Sequence, residues 1–533
     1  MTAVGDPRPL RVDMRGVAKR FGATEALRGV DLGLRRGEIH GLLGENGAGK
    51  TTLMNVLSGL YRADAGTITI DGQAVEIRAP ADALAHGIGM VHQHVELIAT
   101  FTALENILLG SEGSAWRLRL DRRRADVEAI ARRFGLPVAL DIEVGGLAAG
   151  VQQKVEILKA LHRGVGVLIL DEPTTMLTPQ EVDGLFATLR SLAEGGVTVV
   201  FITHKIREIL ANCDRITVMR RGAVVGTVDR DAVTEARLVE MMIGERTVPT
   251  PGDSGERTVH PGGPVLDVRD VTVMGVGRIR LVDRCSVAVR AGELVGVAGV
   301  AGNGQRELAE AIVGVRQAGG GSLAIAGRDV TSASVHQRVA AGLVYIPEDR
   351  IHDGILPGLS LGENLVLGLH PYLFARSRSL KGSARPAAGL TSHGRWFDEG
   401  IAADLARRAI TEYGIQASGP DARAVELSGG NIQKVLVARA LALARLTRGV
   451  AVVAMNPTRG LDVRATAFVR GRLIDFARQG GGVLLISEDL DELLQLCDRI
   501  VVMYRGASMA EVARADFDSY RIGALMAGGG VRL

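Results

Sequence analysis

The octapeptide GENGAGKT, Gly44–Thr51, decides how the rest of the chain is read. It fits G-x-x-x-x-G-K-[ST] at every fixed position. The apolar IHGLLG runs into it like a strand and TTLMNVLSGL runs out of it with a helical pattern, which is the context this motif needs. Gly44, Gly47 and Gly49 let the backbone through Glu45, Asn46 and Ala48 curl, so that N–H groups face an anion at a helix N-terminus whose dipole favours negative charge. Lys50 is then placed to reach the outer phosphates of ATP, the Thr51 hydroxyl to bind Mg2+, and Thr52 to lie beside them. The implied fold class is α/β, built on a strand–loop–helix phosphate cradle.

Further along, VLILDEPT is a buried-strand pattern that ends in Asp171 and Glu172. One acid at a strand end can hold magnesium and the next can polarise an attacking water. His204 ends another apolar run, FITHKI, and is read either as a structural histidine or as a γ-phosphate contact. Gln93 in GMVHQH is a candidate to complete the metal and water shell, so the metal candidates are Thr51, Gln93 and Asp171. Phe21 is read either as a core residue or as a ring suited to stack on adenine.

The chain then repeats itself. RRGEIHGLLGENGAGKTTL aligns with RAGELVGVAGVAGNGQREL, Gly44 falling on Gly299, 255 positions later. CDRITVMRRG aligns with CDRIVVMYRG, Cys213 falling on Cys497, 284 positions later, so the second copy carries 29 extra residues. Residues 370–395 are the candidate insertion, with five cations and no acid, readable as a solvated loop or as a contact for lipid headgroups or a partner. The Pro/Gly/Ser-rich TVPTPGDSGERTVHPGGP divides the chain into domain 1 (residues 1–246), a linker (247–264) and domain 2 (265–533).

Bulk properties fit this division. A chain of 533 residues is too long for one ordinary core, and 47% hydrophobic with 23% charged residues reads as globular α/β. A net charge of +3 leaves no nucleic-acid footprint. Three cysteines without a CxxC pair argue against a zinc site or a disulfide framework and for reduced cytosolic thiols, with Cys213 and Cys497 as small core residues. The first residues lack the apolar core of a signal peptide, and no apolar run reaches the length of a membrane helix.

The copies are not equivalent. In the second, Gln305 and Arg306 stand where Lys50 and Thr51 stand in the first, Met455 and Asn456 replace Asp171 and Glu172, Glu488 replaces His204, and Val276 falls opposite Phe21. Yet the second copy has LSGGNIQK, with Ser428, Gly429 and Gly430, where the first has LAAGVQQK with Ala148. It also keeps Asp462 in TRGLD, where the first has Thr178.

With these motifs the chain resembles the tandem nucleotide-binding subunits of the ABC transporter superfamily, whose marker is an LSGGQ loop at the start of a helix. The resemblance implies two tandem P-loop NTPase domains, each with a RecA-like core, an antiparallel β subdomain and a helical signature subdomain. If each copy built its own site, both sites would be defective. If the P-loop of one copy works with the signature of the other, every intact part falls in one site and every defect in the other. The defects therefore favour crossed sites, which is also how the family holds nucleotide. Fused halves, one degenerate site, PTRGLD and the stretch Gly87–Gly110 resemble importer subunits for simple sugars and nucleosides, HQH leaning toward the nucleoside type. That implies two membrane permease subunits and an external substrate-binding lipoprotein as partners, and a peripheral place on the cytoplasmic face of the membrane. Soluble tandem ATPases of ribosomes or repair are the competing class. They usually have two whole sites with a charged helical linker, or zinc CxxC pairs or long coiled coils.

Overall fold

The computed structural model describes residues 8–529 apart from 23, 46, 94–95, 111–119, 175–176, 245–262, 276, 278 and 370–398. The candidate insertion at 370–395, Asn46, Val276 and nearly all of the expected linker thus lie outside the described residues. Pro264, read above as the linker's last residue, is instead the first residue of a strand, opposite Arg290. Proline is tolerated there because a strand's first position can go without an N–H donor. The chain divides into two compact units, Met1–Val248 and Pro249–Leu533.

In the first unit a six-stranded sheet runs in the order Ala223–Asp229, Arg215–Arg220, Ile39–Gly44, Thr198–Thr203, Val167–Asp171, Ile88–Val91. All its pairs are parallel except the outermost, Ala223–Asp229 with Arg215–Arg220. The three strands Ile39–Gly44, Thr198–Thr203 and Val167–Asp171 are buried at every residue, as their unbroken apolar sequences require when both faces are covered. A separate antiparallel sheet orders Thr24–Arg35, Leu10–Phe21, Ala65–Ile70, Gln73–Val75. It turns Val12, Met14 and Leu32 inward, where they share one core with Leu53, Met54 and Leu57 of the helix Lys50–Leu57 and with Val167, Ile169 and Val200 of the parallel sheet. Each such fully buried side chain contributes about 1.5–3 kcal/mol, so this core clamps the helix after the P-loop against the strand before it. Helices Ala103–Leu108, Leu120–Arg133 and Ala149–His162 pack on one another as a further lobe.

The second unit repeats the plan: Leu343–Ile346, Ala451–Met455, Gly482–Ser487, Leu294–Ala298, Arg499–Tyr504, Ala507–Ala513 in one sheet, and a four-stranded antiparallel sheet beside it. The strand Ala451–Met455 shows why its sequence is apolar throughout. Val452 and Ala454 face one core, while Ala451, Val453 and Met455 face the other. Among the described residues no helix is long and apolar enough to cross a membrane.

The three cysteines are fully buried. Burial pushes the Cys285 thiol up to about 12 and raises that of Cys213 as well. At pH 8 only about 10⁻⁴ of Cys285 is thiolate, and the thiolate is the reactive form. A maleimide at pH 8 should therefore leave the native chain's thiols unlabelled over the time in which the guanidinium-unfolded chain takes up three equivalents, read by mass spectrometry.

Candidate active site

Four neighbouring parallel strands of the first unit deliver the site at their carboxyl ends, where α/β sheets bind ligands. Ile39–Gly44 leads into the P-loop, Thr198–Thr203 into His204, Val167–Asp171 ends on Asp171 and leads to Glu172, and Ile88–Val91 is followed by Gln93. In the P-loop Gly47 and Gly49 take φ of 79° and 100°. A Cβ on Gly49 would come within 2.8 Å of the Ala26 carbonyl, so this position needs glycine for space as well as for conformation. Ala48 is buried, its N–H bonded to the Glu45 carbonyl at 3.0 Å, and Thr52 is half-buried in the first turn of the helix.

Lys50 is buried and folds back over the loop, donating to the carbonyls of Gly44 at 2.7 Å and Glu45 at 3.1 Å. Burial draws its pKa below the ordinary lysine value, against the opposing pull of Glu172, Asp171 and Glu45. The Thr51 hydroxyl donates to Asp171 Oδ2 at 3.0 Å. These are two hard oxygen donors side by side, a donor set that suits Mg2+ bound with substrate phosphates and water. Burial raises the Asp171 pKa, partly offset by the Thr51 hydrogen bond.

Glu172 is the meeting point. Its Oε1 lies 2.9 Å from His204 Nδ1 and its Oε2 accepts from Gln93 Nε2 at 3.2 Å. An ionised carboxylate only accepts, so Nδ1 carries the proton of this pair. Burial pushes the Glu172 carboxyl up, but the hydrogen bond and charge of His204, with Lys50 and Lys205, outweigh it, and its pKa lies below the ordinary value. Its backbone is left-handed, φ 46°, with its N–H bonded to the Ile202 carbonyl at 2.9 Å. A left-handed glutamate costs about 1–2 kcal/mol, and such strain concentrates at functional positions. Phe21 is 44% exposed, which excludes the core reading, and stands edge-on to Tyr61 with ring centroids 5.1 Å apart.

Ser428, Gly429 and Gly430 open the helix Gly429–Thr447 of the second unit, Ser428 capping it by accepting from Asn431 N–H. Asp462 caps Val463–Arg478, and its Oδ2 lies 3.6 Å from where a Gly430 Cβ would be, so these residues are brought together. The first unit's counterpart helix Ala149–His162 starts at Ala148 with no side-chain cap. Ala148→Ser is expected to stabilise that unit by about 0.5–2 kcal/mol, read as a higher unfolding temperature by calorimetry, with ATP turnover little changed.

The second unit keeps the P-loop's backbone and changes its chemistry. Gly302 and Gly304 have φ 86° and 94°, and Asn456 is left-handed like Glu172, φ 41°. Gln305 is buried and donates to the Val300 carbonyl at 3.1 Å, much as Lys50 does to its own loop. Arg306 pairs with Glu310 and Asp353. Asn456 Nδ2 donates to Glu348 Oε1 at 3.0 Å, its Oδ1 accepts from Glu488 N–H at 2.9 Å, and Arg459 pairs with both Glu348 and Glu488. Met455 faces the apolar core and offers no metal ligand. Sequence reasoning missed Glu348 and Arg459. The 255-residue offset, carried on to Gln93, would have pointed to Glu348.

A phosphate loop fed by a buried parallel strand, with a hydroxyl and a carboxylate side by side and an acid–histidine pair at the adjoining strand ends, defines a P-loop ATPase, here in two unequal copies. A profile of the family described as ABC transporter matches residues 27–175 and 282–445. The chain is 40% identical to the glucose import ATP-binding protein TsgD13 of Haloferax volcanii, over 97% of this chain and 96% of that protein. It is 38% identical to the guanosine import ATP-binding protein NupO of Bacillus subtilis, over 97% of each, and 37% identical to the nucleoside import ATP-binding protein NupA of Lactococcus lactis, over 98% of each. The chain belongs to the ABC transporter family, as an ATPase with two copies of its nucleotide-binding domain.

Proposed function

We propose that this chain is the ATP-hydrolysing subunit of a membrane importer, driving uptake of nucleosides or simple sugars through two permease subunits fed by an external substrate-binding lipoprotein. It would work as a peripheral protein on the cytoplasmic face, with domain 1 at residues 1–246, a linker at 247–263 and domain 2 from Pro264 onward. The observation that carries the reading is the complementary pattern of defects. Lys50, Thr51, Asp171, Glu172 and His204 are intact in the half whose signature is altered, and Ser428, Gly429, Gly430 and Asp462 are intact in the half whose P-loop is altered. One composite site uses every intact part.

In that site the Gly44–Thr52 loop cradles the ATP phosphates and Lys50 supplies positive charge without leaving its burial. Thr51, Asp171 and Gln93 would hold Mg2+, which neutralises charge developing on the transferred phosphoryl group. Glu172, held ionised by His204, accepts the proton of the attacking water, and His204 Nε2 faces the γ-phosphate. Phe21 offers its exposed ring to adenine. The Ser428 hydroxyl and the N–H groups of Gly429 and Gly430, at a helix N-terminus, complete the phosphate shell. In domain 2, the loss of the base alone removes about 10²–10⁴ in rate, so that half does not hydrolyse.

The relatives are named for import of glucose, guanosine and nucleosides, which supports the solute class. Affinity purification from its own cells should bring down a polytopic permease pair. Proteoliposomes holding the assembled complex and the lipoprotein should take up labelled nucleoside or sugar only with ATP inside the vesicles, on the side of the ATPase subunit. Recovery with ribosomes and no permease would reject the importer.

A further inference from the structure

The helix Pro179–Glu194 of the first unit carries a glycine in its interior. Gly184 is exposed, and a Cβ there would meet nothing within 4 Å. A glycine inside a helix weakens it, so what this position provides is space. Beside it lies a cavity of about 230 Å³, shared with the helix Ala149–His162 and lined by Leu136, Val151, Leu177 and Leu185, with Gln153 and Lys154. Two further polar residues of the wall are engaged within their own helix. Glu181 accepts from the Thr178 N–H at 2.9 Å and its hydroxyl at 3.0 Å, and the Thr188 hydroxyl donates to the Gly184 carbonyl at 3.0 Å. Gln153 differs: it is only 7% exposed, and among the described residues nothing hydrogen-bonds its amide.

The second unit shows what fills this space. Its matching helix is Val463–Arg478, and 284 positions after Gly184 stands Phe468. That ring packs half-buried against the core, edge-on to Tyr413 with centroids 5.8 Å apart. Two cations lie over it, Lys434 Nζ at 5.4 Å and the Arg472 guanidinium at 5.1 Å from its centre. Lys434 and Gln433 are the counterparts of Lys154 and Gln153, 280 positions on, and Val469 that of Leu185. The walls are thus kept in the first unit, and the ring they close on in the second is absent from it.

We infer that this cavity is a binding site for one aromatic ring of a small phenol-like molecule, which wedges between the two helices of the first unit where Phe468 is built into the second. Size and wall chemistry select that class. An apolar cavity of about 150 Å³ stays dry and takes up benzene, and drug-sized ligands need about 300–1,000 Å³, so this space suits a single ring with a small substituent. Lys154 supplies a cation for the face of the ring, as Lys434 does in the second unit. The Gln153 amide supplies both a donor and an acceptor for a hydroxyl. The inference goes beyond the importer reading and needs neither ATP nor a permease.

The test titrates 4-fluorophenol into the full chain without nucleotide and follows its fluorine NMR line width. We expect saturable binding with a Kd of about 1 mM, the order so small a ligand reaches. Phenol should displace it, and cyclohexanol, of similar size but without a π face, about two- to fivefold less well. Gly184→Phe, which supplies the ring from within, should weaken binding at least about tenfold, and Gly184→Leu serves if that variant fails to fold. Gly184→Ala firms the helix equally but leaves the space open, so it should bind like the unsubstituted chain. Gln153→Met should weaken 4-fluorophenol about two- to tenfold, the range for one neutral hydrogen bond. Broadening that never saturates, or that Gly184→Phe and Gly184→Leu leave unchanged, overturns the inference, and displacement by cyclohexanol as readily as by phenol overturns the aromatic class. Nucleotide takes no part in this binding, so its failure and a failure of ATP-driven uptake are separate results.

Discussion

Glu172→Gln in the full chain assembled with its permeases should reduce steady-state ATP turnover by at least about 10², the low end for loss of a general base. The amide is nearly isosteric. Its oxygen can still accept from His204, and its NH2 can turn toward the loop, so the folded site and nucleotide binding should survive while the proton acceptor is gone. A variant that binds ATP but turns it over within threefold of the unsubstituted chain would remove Glu172 from the reaction. The pH dependence follows from the same contact. The His204 hydrogen bond and the nearby lysines hold Glu172 below the ordinary glutamate value of 4.5 despite its burial. A depressed pKa means the ionised form persists at every pH above it. The acid limb belonging to this group should therefore lie below pH 4.5, and turnover should not fall between pH 8 and 6 on its account.

Ser428→Ala lies in the other half of the sequence and is expected to reduce turnover about ten- to a hundredfold, the scale for one hydrogen bond to a charged phosphate. The proposed phosphate contact must be separated from a structural role. Ser428 also caps the helix Gly429–Thr447 through Asn431 N–H, and losing a cap costs about 1 kcal/mol of stability. Ser428→Asp keeps the cap and places a negative charge toward the phosphate, so it should melt like the unsubstituted protein and still lose turnover. If Ser428→Ala hydrolyses ATP normally, the two halves do not share a site, and the complementary defects need another explanation.

The parts of the site legible in the sequence are those that a strand end followed by a turn places together along the chain: Gly44–Thr51, Asp171 with Glu172, and Ser428–Gly430. What was not legible are contacts between such ends. The Gln93–Glu172 bond spans 79 positions and the Asn456–Glu348 bond spans 108, and no local pattern encodes either. Phe21 could not be sorted into core or surface because it ends a strand whose alternation stops at the Gly22 turn. The structure sets it at an exposed edge beside Tyr61. The layered α/β plan was readable from apolar runs, whereas the order of strands in each sheet came from the structure.

The left-handed backbone shared by Glu172 and Asn456 has a consequence for how the two halves drift. Asparagine is several-fold enriched in that conformation and glutamate is not. The change from acid to amide therefore relieves local strain and, on the proposed mechanism, removes the proton acceptor, so that its reversal would have to climb against stability as well as restore that group. Over many generations a duplicated site of this kind falls silent more readily than it revives. If, as proposed, the partner copy supplies the motor, selection has little reason to oppose that one-way slide, and the asymmetry between the halves becomes self-preserving.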